Sequence, residues 1–214
     1  KHKIDLIPIV DKKNFVIDYF TWNNIKHKRK NSQSLKNISV IIMAGGKGTR
    51  LQPFTSILPK PLIPVQNKTM IEHIIEQFTE FGSNNFFLTI NYKGKILKAF
   101  FDELDPKYKI NYIEEKKPLG TAGSLYFLKN KIKTPFFVTN CDVIIKTNYS
   151  KLLKFHKEGK FDISLVASTK EYEIPYGTCE LDKKGNLLQI NEKPKYDFLV
   201  NSGLYLLNPE ILKI

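Results

Sequence analysis

The stretch Met43–Val65, MAGGKGTRLQPFTSILPKPLIPV, follows a short apolar run, ISVIIM (Ile38–Met43), and crowds three glycines, a lysine and an arginine between Gly45 and Arg50. It closes on a second lysine held between two prolines, Pro59-Lys60-Pro61. A continuous apolar run of this length reads as a parallel strand covered on both faces. The glycines that end it fall where open α/β sheets keep their ligands, at the carboxyl ends of the strands. Neither common glycine motif fits. The Walker pattern requires Gly-Lys-Ser/Thr at its close, and here Lys47 is followed by Gly48; the dinucleotide fingerprint requires a third glycine that Thr49 and Arg50 do not precede at the right place.

The residue types are still legible as chemistry. Gly45 and Gly46 carry no side chains, so their backbone can come close to a base or ribose and aim N–H groups at phosphates. Of the 34 cationic residues only Arg29 and Arg50 are arginines. A chain that writes nearly every positive charge as lysine places an arginine inside its glycine loop, and a guanidinium fork matches phosphate oxygens two at a time as an ammonium cannot. Lys60, on a stiff proline-flanked segment, can meet the same anion from the other side.

Strand and helix patterns alternate outward from this loop. TMIEHIIEQFTEFG has a Thr69 cap, apolar residues at helical spacing and a Gly82 stop. NFFLTIN, KINYIEE and PFFVTNCDVII read as strands; KGKILKAFFDEL, YSKLLKFHKEG and TAGSLYFLKN, the last starting just after Gly120, read as helices. After the strand DISLVAS, GTCELDKKGNLLQINEK reads as an antiparallel hairpin, followed by the strand LVNSGLYLL. The expected fold is α/β, with a Rossmann-like, mostly parallel sheet flanked by helices and a small antiparallel part.

The chain has 214 residues, 42% of them hydrophobic, enough for one sizeable core and a small appendage. It starts at Lys1 and ends in NPEILKI, which suggests a piece of a longer chain. No apolar run reaches the ~20 residues that span a bilayer, and two cysteines give neither a disulfide framework nor metal spacing, so a cytoplasmic protein is expected. The net charge of +13 is spread along the chain, and its one dense run, KHKRK (26–30), lies in an expected linker, 26–37. An acidic small substrate therefore uses the field better than nucleic acid does.

AGGKGTRLQPFT, LPKPLIPV and MIEHII together resemble the signature of the sugar-phosphate nucleotidyltransferases, from about Ile38 to the end of the chain. The resemblance implies a nucleotidyltransferase domain over 38–214 that joins a nucleoside triphosphate to a sugar 1-phosphate and releases pyrophosphate. It implies nucleotide contacts at Ala44, Gly45, Gly46, Gly48 and Thr49. In EEKKPLGTAGSL it implies further contacts at Glu115, Gly120 and Thr121. It also implies Mg²⁺ on Asp142 as the cofactor, and sugar contacts at Tyr176, Gly177, Glu192 and Asn201. Arg50, Lys60, Asp142 and Lys193 would carry the chemistry: Arg50 on the departing pyrophosphate, Lys60 between the reacting phosphates, Lys193 on the sugar phosphate. A carboxylate at Glu115 can accept both adjacent donors of guanine, whereas uracil suits an amide, so GTP is expected over UTP or dTTP. His73 and His156 lie in helix patterns and are expected to be structural or solvent-exposed rather than catalytic, and Cys141 is expected to be a small buried residue.

Residues 1–25, with IDLIPIVDKKNFVIDYFTWNNI, resemble the closing half of a CBS domain, with Asn24 where ribose-binding members carry Asp. A CBS pair ahead of a nucleotidyltransferase resembles bacterial guanylyltransferases of legionaminic acid synthesis. That implies glucosamine 1-phosphate as the sugar, with mannose 1-phosphate next. A homo-oligomer is compatible with all of this. Two rival readings are a glycosyltransferase of similar topology, which would want Asp where Asn140 stands, and a non-catalytic nucleotide-binding subunit.

Overall fold

The computed structural model describes residues 6–11, 14–21, 34–115, 117, 119–120 and 122–213, with the backbone alone for 6–10 and 17–21. A first hairpin pairs β1 (Leu6–Val10) antiparallel to β2 (Val16–Thr21). Its turn is held by Asp11, whose side chain accepts the Phe15 N–H at 3.0 Å. The end of the segment that resembles a CBS domain and most of the expected linker lie outside the described residues. The linker's last part is not a linker: Leu35 is fully buried, and its N–H donates to the Phe81 carbonyl at 3.0 Å.

The main sheet has six strands. They are β3 (Val40–Met43), β6 (Asn85–Ile90), β7 (Lys109–Glu114), β8 (Phe136–Asn140), β9 (Ile163–Glu173) and β12 (Lys195–Leu207), in the order β7-β6-β3-β8-β12-β9. From β7 to β8 all neighbours are parallel; β12 runs antiparallel to both β8 and β9. The chain thus steps from β3 to one side for β6 and β7, then returns to its other side for β8. The crevice at the carboxyl ends of β3 and β8 is the topological switch point, where such sheets bind ligands.

Three helices cover one face. Helix α1 (Met70–Thr79) starts in a capping box between Thr69 and Glu72 and buries Ile71, Ile74, Ile75 and Phe78, a stripe at helical spacing. Helix α2 (Gly94–Leu104) buries Leu97 and Phe101; helix α3 (Tyr149–Glu158), capped by Asn148, buries Tyr149, Leu153 and His156. Phe78 packs against Phe137 and Tyr149, with ring centroids 5.3 and 4.3 Å away, tying α1 and α3 to β8. The other face carries a smaller core around Ile41, Val138 and Leu128. TAGSLYFLKN, expected as an α-helix, forms instead a six-residue 3₁₀ turn, Gly123–Leu128, with only Ser124 and Leu128 buried. A glycine at its start and Asn130 in a left-handed conformation just beyond its end leave it too short for an α-helical ladder. Smaller elements are β4 (Pro64–Val65) with β5 (Lys68–Thr69), and a hairpin of β10 (Thr178–Leu181) with β11 (Leu187–Asn191). No helix among the described residues is long and apolar enough to cross a membrane.

Candidate active site

A cavity of about 430 Å³ opens at the switch point. From the glycine loop it is lined by Gly45, Gly46, Gly48, Thr49 and Arg50, and from the opposite wall by Lys60, Glu115, Gly120 and Asp142. The sheet explains the convergence. Met43, the last residue of β3, is level with Thr89 on β6 and Asn140 on β8, so the loops after all three strands leave at one height.

Two opposite charges meet across the cavity: Lys60 Nζ lies 2.5 Å from Asp142 Oδ2, with both side chains partly accessible. Each partner neutralises the other until an incoming anion or cation competes for it. Cys141, beside this pair, is buried, as its small apolar character suggested, and burial pushes its thiol up to about 12 despite the nearby Lys60 ammonium. Gly45 sits against the Asn91 and Glu115 side chains; a Cβ there would lie 3.5 Å from Asn91 Cβ and from Glu115 Oε1. The Glu115 backbone is pinned at both ends. Its N–H donates to the Ile90 carbonyl at 2.9 Å, and its own carbonyl accepts a hydrogen bond from the Asn91 amide.

The other expected residues fall differently. Ala44 is buried and its N–H is already given to Thr89, so it supports the loop without lining the cavity. Thr121 lies outside the described residues. Tyr176, Gly177, Glu192 and Lys193 sit around the β10–β11 hairpin and do not line the cavity. Gly177 and Glu192 adjoin each other, since a Cβ on Gly177 would lie 3.0 Å from Glu192 Oε2. Asn201 caps the bulge of β12 by accepting the Gly203 N–H at 2.9 Å, and Gly203 packs so closely on Asn140 that a Cβ there would lie 2.6 Å from its Nδ2. Asn140 is therefore the link between the cavity and the strand that carries Asn201. The two helical histidines are structural. His73 Nε2 lies 2.8 Å from the Val65 carbonyl, and buried His156 bridges Ser164 and Asn208.

Sequence reading did not single out Met43, Thr89, Asn91 or Asn140 as site residues. The signal was their common position at the ends of adjacent parallel strands. Among the described residues no group of three His, Cys, Asp or Glu side chains could hold a metal ion. The Asp142 carboxylate still fits Mg²⁺, which needs only one or two carboxylates when phosphate oxygens and water complete its octahedron.

The crevice, the bare-backbone loop and the charged side chains of Arg50, Lys60, Glu115 and Asp142 define an α/β protein with a polar cavity at the switch point of its sheet. The description of the nucleotidyl transferase family matches residues 39–214, and the chain belongs to that family. It is 36% identical over 185 residues to a probable mannose-1-phosphate guanylyltransferase of Oryza sativa subsp. japonica, covering 82% of this chain and 51% of the relative. To the mannose-1-phosphate guanyltransferase of Hypocrea jecorina it is 38% identical over 184 residues, covering 81% and 50%. The chain thus spans about half the length of these curated relatives. Among solved structures, HddC from Yersinia pseudotuberculosis superposes with a TM-score of 0.64 at 26% identity, over 82% of this chain and 79% of that one. A second structure of HddC, complexed with GMP-PN, gives 0.63 at 25%, over the same shares of the two chains.

Proposed function

We propose that the protein transfers a guanylyl group from GTP to mannose 1-phosphate, giving GDP-mannose and pyrophosphate. The observation that carries this is the meeting of Arg50, Lys60 and Asp142 around one cavity at the switch point, in a chain whose relatives are mannose-1-phosphate guanylyltransferases. Those relatives favour mannose 1-phosphate over glucosamine 1-phosphate, which rested on the CBS resemblance of residues 1–25. The GMP-PN complex of HddC and the carboxylate of Glu115 both favour guanine.

The sugar-phosphate oxygen attacks the α-phosphorus in line. A new P–O bond forms, the bond to the β-phosphate bridging oxygen breaks, and pyrophosphate leaves with the electron pair. The nucleophile is already an anion, so the obstacle is repulsion between anions rather than proton removal. Arg50 would fork onto the β- and γ-phosphates and follow the leaving pyrophosphate. Lys60, freed from Asp142 when the triphosphate arrives, would bridge the reacting phosphates. Gly45, Gly46, Gly48 and Thr49 would let backbone approach the nucleotide, with Glu115, Gly120 and Thr121 at the base. Asp142 would hold a Mg²⁺ ion, which neutralises charge on the α-phosphate. Tyr176, Gly177, Glu192 and Asn201 would contact the sugar and Lys193 its phosphate; for these the support is the resemblance.

A pyrophosphate-release screen of four triphosphates against a panel of sugar 1-phosphates, run on the full natural chain, tests the reading. GTP with mannose 1-phosphate should be turned over fastest, and Glu115→Gln should shift preference toward UTP. Equal turnover of GTP and UTP by the wild type would refute the base assignment.

A further inference from the structure

The turn Phe54–Ser56, between the glycine loop and Lys60, has little packing of its own: Phe54 and Ile57 are 66% and 75% exposed, and only Thr55 is buried. Three contacts hold it. Thr55 Oγ1 donates to the Gly48 carbonyl at 2.9 Å, the carbonyl that also accepts the Leu51 N–H at 2.9 Å. The Thr55 methyl and the Lys60 stem wall in Gly48 so tightly that a Cβ there would lie 2.8 and 3.1 Å from them. From the far side of the crevice, Lys93 Nζ donates to the Thr55 carbonyl at 3.1 Å and to the Ser56 carbonyl at 2.6 Å. Lys93 precedes α2, and its backbone is left-handed, at φ 56°, a conformation that costs free energy for a residue with a side chain.

We infer that Lys93 and Thr55 are positioning residues for the phosphate-binding loop. Lys93 fastens the Phe54–Ser56 turn to the end of β6, and Thr55 passes that restraint to Gly48 and so to Arg50 and Lys60. The ammonium sits on two carbonyls that accept no backbone hydrogen bond among the described residues, and such charge-assisted bonds are the stronger kind. Asn91, two residues earlier, holds the Glu115 backbone, so one loop braces both the phosphate wall and the base wall of the cavity. Neither Lys93 nor Thr55 lines the cavity, so neither is cast as a catalytic residue. The inference rests on reading Gly45–Arg50 as the triphosphate site.

The test uses the full natural chain with Lys93→Met and Thr55→Val, which keep bulk and lose the donors, and with Lys93→Arg and Thr55→Ser, which keep them. The first readout is amide hydrogen exchange without nucleotide. Lys93→Met and Thr55→Val should speed exchange over residues 45–60 while α1 and α3 keep wild-type rates. The second is the split of kinetic constants. The KM for GTP should rise about tenfold in Lys93→Met, the size of one lost charge-assisted hydrogen bond, and by less in Thr55→Val, which loses a neutral one, while the KM for the sugar phosphate should stay within about twofold in both. The conservative variants should recover most of both effects. Unchanged exchange over 45–60 in Lys93→Met would overturn the brace whatever the substrate is, as would equal shifts of both KM values. A wild type that binds no triphosphate would instead overturn the functional reading, and with it the loop's role in phosphate binding.

Discussion

The parallel part of the main sheet and the antiparallel ribbons of the molecule, β9 with β12 and the separate β10–β11 hairpin, are built on different terms. In β3 and β8 side chains on both faces are buried: Val40, Ile41 and Ile42 have no exposure, nor do Phe136 and Phe137. In β9 and the β10–β11 hairpin apolar residues lie open; Leu165, Leu188 and Ile190 are 51%, 66% and 58% exposed. Two cysteines mark the contrast, Cys141 buried at the end of β8 and Cys179 exposed in β10. The glycine-loop end is positioned by a packed core and a hydrogen-bonded loop, whereas the end proposed to hold the sugar rides on a ribbon held chiefly by its own ladder. Residues at the first end have one fixed partner geometry, and those at the second have more freedom to follow a ligand.

That difference predicts how activity breaks. Arg50→Lys should lower turnover by about tenfold or more, because the ammonium keeps the charge and loses the fork that fits developing phosphate charge. Asn201→Ala should act mainly through the KM for the sugar phosphate and leave the KM for GTP near its wild-type value. Steady-state kinetics with each substrate varied in turn separate the two. A turnover loss in Asn201→Ala as large as that in Arg50→Lys would erase the distinction between the halves.

Stability should divide the same way at two glycines. Gly48 and Gly185 both have positive φ, +67° and +87°. A Cβ on Gly48 meets Thr55 and Lys60, while one on Gly185 meets nothing within 4 Å. Gly185→Ala should cost about 1 kcal/mol of stability, from backbone strain alone. Gly48→Ala should cost about 1–3 kcal/mol and also weaken GTP binding, since Thr55 and Lys60 must move aside. Urea unfolding and equilibrium binding check both.

Local pattern was enough for much of this molecule. The apolar run before Gly45, the Thr69 cap with its stripe of isoleucines, and the Asp142 carboxylate at the end of an apolar strand announce their elements and one half of the site. What sequence could not show depends on pairing between distant segments. That Met43 stands level with Thr89 and Asn140 is a fact of strand register, and that Lys93 reaches Thr55 follows from the crevice those strands create. The 3₁₀ turn at Gly123–Leu128 was misread because its composition is helical while its length, cut by a glycine and a left-handed Asn130, is not. Leu35 looked like linker because a single buried leucine among polar neighbours carries no periodicity.

A smaller effect concerns pH in the packed half. Tyr108, stacked edge-on against Phe86 at 5.4 Å, has its phenol pushed up to about 12 by burial, with help from the Glu72 and Glu76 charges. The folded state therefore holds this proton more tightly than the unfolded chain, whose tyrosine titrates near pH 10. The stabilisation is complete below about pH 10 and is lost as pH rises toward 12. Unfolding midpoints taken through this window should fall less steeply in Tyr108→Phe than in the wild type, and identical slopes would show that the phenol is not held in its neutral form.

The smallest effect belongs to the ribbon. Lys195 on β12 pairs across the strands with Glu171 at 3.1 Å and Glu173 at 3.5 Å, and the Glu171 bond and charge, then those of Glu173, raise its ammonium above the ordinary lysine range. All three side chains are half-exposed, where water and salt screen most of the attraction. Lys195→Ala should move the thermal midpoint by no more than about 2 °C, and by less at about 1 M salt, where the screening length shrinks to about 3 Å. The contribution should also fade above the ordinary lysine range, because the folded ribbon holds the proton that the unfolded chain releases first. A large loss that about 1 M salt abolishes would mean that these charges hold the ribbon in register, and the ribbon would then be as firmly specified as the packed half.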